Sequence, residues 1–353
     1  MKVGVLTFHF AHNYGAVLQC FALARHLESR GHETFVINHT IEHITQNYKW
    51  FNIHRIVRKN IFEGLKEIFL LSRRRKRWAQ FNHFFSRAFS FREESDISDL
   101  SYVVVGSDQV WNTSITSGFD RFYWGNASEI TNARKISYAA SMGRALETID
   151  KKRMLSLLDN FAAISVREKD LAYYLKYANF EKEVYVVPDP TLLLNKCQWN
   201  SVAKTTLVPE TYVLVYQVRV SEKTDAIAKE IAKKNGKKII YLSPNVAQKQ
   251  SPETLDASPE VFLGLIKNAA FIVTSSFHGT VFSAIFEKKF LCVKLNDGCD
   301  SRSQTLLESL GLEGRFVESF DDYEERDVDW ELVRQKILIL QKNADDFLSK
   351  CGL

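Results

Sequence analysis

Repeatedly along this chain, a short run of β-branched and aromatic residues stops at a cluster of small polar ones and gives way to a segment of helical period. The clearest case is residues 269–290, AAFIVTSSFHGTVFSAIFEKKF. Phe271, Ile272 and Val273 suit a buried strand. Thr274, Ser275 and Ser276 then form a polar turn holding Phe277, His278 and Gly279, after which Val281, Phe282, Ile285 and Phe286 recur at helical spacing. A strand–turn–helix of this kind aims free backbone N–H groups and the positive end of a helix at whatever lies beyond the strand, which suits a phosphate or carboxylate. A histidine in the turn adds a group that moves protons near neutral pH. The same turn could equally be an ordinary helix cap, and these residues alone leave both readings open.

The pattern begins at the N-terminus. A strand over residues 2–8, a turn at Asn13-Tyr14-Gly15, a helix over 16–30 closed by Gly31 and a strand over 33–38 make a βαβ opening, hence a parallel sheet. Residues 41–91 break the rhythm as a basic, aromatic helical insertion. Between Phe51 and Ser90 there are ten Lys/Arg against two Glu, including the run Arg73-Arg74-Arg75-Lys76-Arg77. That run is either a solvated helical face or a contact for an anionic acceptor or lipid headgroups. Strands resume at 102–105, 136–139, 163–166 and 184–187, and each ends in a polar cluster, the edge where open parallel sheets bind ligands. A connection over about 192–210 leads to a second α/β series starting at Tyr212, and a last helix spans 330–348. With 353 residues, two domains are the natural division. The expected layout is an α/β pair of Rossmann-like domains facing a cleft: 1–195 with the insertion, 205–328, and a C-terminal helix in 329–353.

Several classes are set aside. A net charge of +5 concentrated in one segment does not describe a nucleic-acid binder. The N-terminus lacks the form of a signal peptide, and no run of apolar residues is long enough for a membrane span. Five scattered cysteines without a C-x-x-C pair fit reduced thiols, so a cytoplasmic protein is expected. There is no phosphate loop, dinucleotide fingerprint, nucleophile elbow or zinc-protease motif. His9 and His12 lack partners at ligand spacing, so no metal is expected.

Six motifs occur in order: Asn13-Tyr14-Gly15-Ala16, GSDQVWN at 106–112, SYAASMG at 137–143, SVREK at 165–169, PDPTLLL at 188–194 and TSSFHGTVFS at 274–283. Together they resemble the polysaccharide pyruvyl transferase family over nearly the whole chain. The resemblance implies the two-Rossmann architecture of GT-B-like glycosyltransferases and transfer of an enolpyruvyl-derived unit from phosphoenolpyruvate to a sugar hydroxyl, giving a ketal. Phosphoenolpyruvate would be a co-substrate with no further cofactor, and the acceptor a glycan or lipid-linked saccharide; contact of the basic segment 51–90 with that acceptor or with the inner membrane face is one of the two readings left open above. On this reading His278 is the general acid/base and Asp108 orients or deprotonates the acceptor hydroxyl. Arg167, Ser275, Ser276, Gly279, Thr280, Lys294 and Arg302 would hold the donor. Asn13, Tyr14, Gly15, Ser107 and Trp111 would line the acceptor side. The alternative readings are that Asp108 caps its turn and Trp111 packs in the core, while Asp189, between two prolines, reads as a turn former. One departure stands out: many members carry an arginine two residues before the histidine, where this chain has Ser276, and Lys294 or Arg302 would have to compensate. A nucleotide-sugar glycosyltransferase and a non-catalytic glycan-binding protein are the alternatives the same architecture permits.

Overall fold

The computed structural model describes residues 1–52, 61–143, 146, 148–205, 211–242, 254–296 and 300–353, with only the backbone of 61–67 and 254–255. Cys299 and the basic residues Arg55, Arg58 and Lys59 lie outside the described residues.

The strands form two parallel sheets. The first contains β1 (Lys2–Leu6), β2 (Glu33–Ile37), β3 (Phe91–Arg92), β4 (Tyr102–Val105), β5 (Arg134–Ala140), β6 (Ala163–Val166) and β7 (Val184–Val186), in the order β3-β2-β1-β4-β5-β6-β7. The second contains β8 (Tyr212–Tyr216), β9 (Lys238–Leu242), β10 (Thr254–Leu255), β11 (Phe271–Thr274), β12 (Phe290–Val293) and β13 (Phe316–Val317), in the order β10-β9-β8-β11-β12-β13. Both orders run outward in one direction and then reverse, which is the doubly wound Rossmann arrangement. The reversal falls between β1 and β4 in one sheet and between β8 and β11 in the other. Central strands such as β4 (YVVV) and β11 (FIVT) are buried along their whole length, which explains why their sequences show no alternation. The edge strands β3, β10 and β13 are two residues each, too short to carry a period, and sequence patterning does not reveal them.

The insertion supplies the helices Glu42–Tyr48 and Ile61–Ala88 between β2 and β3. It is integral to the core, because Phe81, Phe84 and Phe85 are buried in the same cluster as Val3 and Leu18. The expected connection after β7 is partly ordered into a 3-10 turn, Pro190–Leu193, and a helix, Lys196–Val202, held by a capping box at Asn195. The last helix, Trp330–Cys351, returns to the first sheet, where Tyr102 donates to the Cys351 carbonyl at 3.0 Å and Arg30 pairs with Asp345 at 2.9 Å.

Tyr14 joins the two halves. Its ring stacks on Phe262 of the second half at 4.6 Å and 6°, and its hydroxyl donates to the Ala257 carbonyl at 3.0 Å. A stacked aromatic pair contributes about 0.5–1.5 kcal/mol beyond its buried area, so this contact helps fix how the two sheet edges face each other.

Candidate active site

Between the C-terminal edges of the two sheets lies a cleft of about 780 Å³, within the range of small-molecule sites. Each of the four strands at the reversals sends its following residues into it: Asn13 after β1, Asp108 after β4, Arg219 after β8, and Ser275 through His278 after β11.

His278 is the most constrained of these. The helix that carries it, Phe277–Ile285, starts earlier than its apolar period suggests, so His278 lies in the first helical turn and not in the loop before it. The cause is Ser276, whose hydroxyl accepts from Gly279 N and makes it the N-cap. Thr280 N is satisfied by the Ser276 carbonyl. Among the described residues no hydrogen bond engages the N–H groups of Phe277 and His278, the first two of the helix. The Ser275 hydroxyl beside them is buried without a partner among the described residues. Three donors at the positive end of a helix are what an anion requires.

The His278 ring is held on both sides. On one side is Gly15, where a Cβ would lie 2.0 Å from Nδ1; the first helix, Tyr14–Ser29, approaches this closely only because the residue is glycine. On the other, Nε2 is 3.5 Å from Asp189 Oδ2. Asp189 is fully buried and does two jobs. Its Oδ1 accepts from Thr191 N and Oγ1, fixing the Pro188-Asp189-Pro190 turn, and its Oδ2 faces Arg167 at 3.0 Å as well as His278. Burial opposes its charge, but the His278 ring, Arg167 and Thr191 together hold its carboxyl well below the usual carboxylate range. Burial likewise opposes the Arg167 charge, and Glu168 and Asp189 outweigh it. The ionised carboxylate faces Nε2 at a distance longer than a hydrogen bond, while Nδ1 is the nitrogen that lies over Gly15.

The opposite wall is built on Asp108, which holds a left-handed backbone (φ 74°), a conformation that Asp tolerates better than most side chains. Its Oδ1 accepts from Gln109 N at 2.8 Å, so it caps its own turn while also lining the cleft. Gln109 Oε1 in turn accepts from Asn112 Nδ2. Glu168 reaches the cleft after β6, its Oε1 accepting from Ser141 Oγ at 2.8 Å and from Arg167 Nε at 3.1 Å.

Several expected site residues are elsewhere. Trp111 is fully buried, donates through Nε1 to the Tyr123 carbonyl and stacks on Trp124, so it offers no face to a sugar. Tyr14 is consumed by the joint between the halves. Ser107 is buried and donates to the Ala139 carbonyl. Gly15 makes room for His278 and lines no acceptor surface. Gly279 and Thr280 are turned inward: a Cβ on Gly279 would lie 2.2 Å from Thr274 Oγ1, and the Thr280 hydroxyl donates to the Ser276 carbonyl. Lys294 points away from the cleft and pairs with Glu318 at 3.0 Å. Arg167 is one layer behind the cleft surface, engaged with carboxylates through Nε and Nη1, while Nη2 has no partner among the described residues. Arg302, Ser275, Ser276, Asp108 and Asn13 do line the cleft, and Asn13 also caps the first helix through Gly15 N. Arg219 and Tyr48 line it without having been singled out by motif, and Glu168, within the SVREK motif, lines it without having been assigned a role. For Arg219 and Glu168 the available signal was position just after a strand.

The basic run of the insertion is not a uniform surface. Arg77 is buried, donates to the Tyr14 hydroxyl and the His12 carbonyl, and lies over the Tyr14 and Phe81 rings. Arg73 reaches Asp256 of the second half at 2.8 Å. Of the five, Arg75 and Lys76 remain exposed. No helix among the described residues is long and apolar enough to cross a membrane.

The family model described as polysaccharide pyruvyl transferase matches residues 13–297. No curated protein matches the chain. Among solved structures, a putative UDP-N-acetylglucosamine 2-epimerase from Listeria monocytogenes is similar, with 11% identity over 98% of this chain and 90% of that one and a TM-score of 0.49. The MnaA–UDP co-structure from S. aureus is 13% identical over 97% and 90%, with a TM-score of 0.47. UGT89C1 from Arabidopsis thaliana is 11% identical over 98% and 94%, with a TM-score of 0.44. These are likenesses of chain path alone.

Proposed function

The chain belongs to the polysaccharide pyruvyl transferase family, and from that premise we propose that it transfers a pyruvyl unit from phosphoenolpyruvate to a saccharide as a ketal. The observation that carries this reading is the segregation of charge across the cleft. The charged side chains on the first wall are Asp108, Glu168 and Asp170, all acidic; those on the second are Arg219 and Arg302, beside the helix start and His278. A small donor with a phosphate and a carboxylate belongs on the second wall, and a neutral polyol that must lose a proton belongs on the first.

In the reaction, a sugar hydroxyl oxygen bonds to C2 of phosphoenolpyruvate and the methylene carbon is protonated to a methyl group. The C2–O bond to phosphate breaks, and a second hydroxyl of the same sugar closes the ketal. The two hydroxyl protons end on the methyl group and the released phosphate. Ser275 and the first N–H groups of the Phe277–Ile285 helix hold one anionic group of the donor. Arg302, its guanidinium 5.8 Å from the Phe277 ring centre, supplies the charge that Ser276 does not. His278 moves the proton, Asp189 orients it, and Asp108 orients the attacking hydroxyl. Such positioned proton transfer contributes about 10²- to 10⁴-fold in rate.

The test is thermal. Phosphoenolpyruvate, binding the folded state only, raises the melting temperature, and phosphate is released when a panel of saccharide acceptors is added. Stabilisation by a nucleotide sugar and not by phosphoenolpyruvate would replace this reading with glycosyl transfer. If the acceptor is lipid-linked, Arg75, Lys76 and Arg87, exposed basic residues of the insertion, are available for contact with an anionic lipid surface.

A further inference from the structure

A second cavity, of about 440 Å³, opens beside the cleft between the loop after β1 and the insertion helix Ile61–Ala88. We infer that it is a saccharide subsite, holding the sugar unit adjacent to the one that reacts; this rests on the acceptor being a glycan, as proposed above. Continuity is the first observation. Tyr48 lines both cavities, so a chain of sugar units leaving the cleft passes along it.

The second observation is the lining. Trp78 and Phe91 are large aromatic side chains left 39% and 38% exposed, and both line this cavity. A flat apolar face left open beside polar groups suits the C–H face of a pyranose ring, as exposed aromatics in recognition sites commonly present one apolar surface and one wet edge.

The third is His12. It is 8% exposed, its ring is stacked on Phe81 at 4.9 Å, and among the described residues no hydrogen bond reaches either ring nitrogen. Its ring nitrogens are not enclosed by protein and are reachable from the cavity, so a ligand group that both donates and accepts suits them. A sugar hydroxyl does both. Burial, with Arg77 nearby, pushes the His12 pKa down to about 3, so the ring is neutral and carries one donor and one acceptor. Asn38 and Asn82 add amides at the rim. An isoprenoid tail would leave all of these groups unsatisfied, which is why a saccharide and not a lipid is assigned.

The experiment compares wild type, Trp78→Ala and Trp78→Phe by calorimetric titration. The probes are methyl glycosides of glucose, galactose, mannose and N-acetylglucosamine and the corresponding disaccharides. Trp78 is at the surface, so the variants fold, and circular dichroism checks that they do. In wild type at least one disaccharide binds about tenfold more tightly than its monosaccharide, a ratio equal to ~1.4 kcal/mol. Trp78→Ala abolishes that ratio without weakening the monosaccharide, and Trp78→Phe restores most of it. A ratio near one in wild type, or one that Trp78→Ala leaves intact, overturns the subsite. So does Trp78-dependent binding of farnesyl phosphate in place of any disaccharide. Phosphoenolpyruvate-induced stabilisation is measured on the same samples: its absence with the disaccharide ratio present sinks the donor reading and leaves the subsite standing.

Discussion

The two walls of the cleft are built alike and treat their ionisable groups differently. Behind the first, the loop after β1 carries His9 and His12, which line the neighbouring cavity, both buried among aromatic rings and, among the described residues, without a carboxylate in contact. Burial lowers their pKa values to about 4 and about 3. On the second, His278 stands 3.5 Å from an ionised aspartate at the start of a helix. The acids of the first wall and the bases of the second face each other across the cleft. A strand end followed by a histidine is therefore not enough to make an acid/base site. A buried carboxylate behind the ring and an open side in front of it make the difference.

The strongest way to break this contrast is to remove His278. His278→Ala should cut turnover by at least about 10²-fold with the melting temperature unchanged; near wild-type turnover in the folded variant would reduce His278 to a helix-start residue. Next, acid should expose the first-wall histidines. Their folded pKa values lie below the unfolded value near 6.5, so the unfolded state takes up protons first. Their contribution is complete above about pH 6.5 and is lost as pH falls toward about 4 for His9 and about 3 for His12. Between pH 6.5 and 5 each costs about 2 kcal/mol. Denaturant titrations across that range should show the fall in wild type, and His12→Gln should flatten it; an identical slope in the variant would discount His12.

Arg77→Gln should destabilise by about 2–3 kcal/mol, because it leaves buried acceptors unpaired beneath Tyr14, whereas exposed Arg75→Gln should stay within about 0.5 kcal/mol. Equal effects would mean the basic run acts as one surface after all. The smallest expected effect sharpens the division of labour: Arg302→Gln should raise the KM for phosphoenolpyruvate about tenfold with little change in kcat, as loss of one charged hydrogen bond predicts. Asp108→Asn should leave that KM unchanged and lower kcat. Reversal of the two patterns would exchange donor and acceptor walls.

Both sheets, their parallel sense and the strand-end position of Asp108, Ser275 and His278 were legible in the sequence. Strand burial on both faces erases alternation, polar clusters mark strand ends, and helical periods are long enough to read. Helix boundaries were less so, since Ser276 as a cap moved His278 inside the helix against the apolar period. What the chain alone did not reveal were the partners distant in sequence. Asp189 forms its own turn, as read, yet also orients His278, because β7 and the Phe277–Ile285 helix meet only once the two halves dock. The Arg73–Arg77 run looks like a surface group when counted by type, and the sequence leaves Trp111 open between facing a sugar and packing in the core. Whether a guanidinium faces solvent depends on what packs against it in the assembled fold: Asp256 of the second half for Arg73 and the Tyr14 ring, itself stacked on Phe262, over Arg77, while Trp111 is enclosed by Tyr123, Trp124 and Phe161. Local periodicity encodes which elements form, and the assembly of two sheets across one cleft decides which polar side chains remain free to meet a ligand.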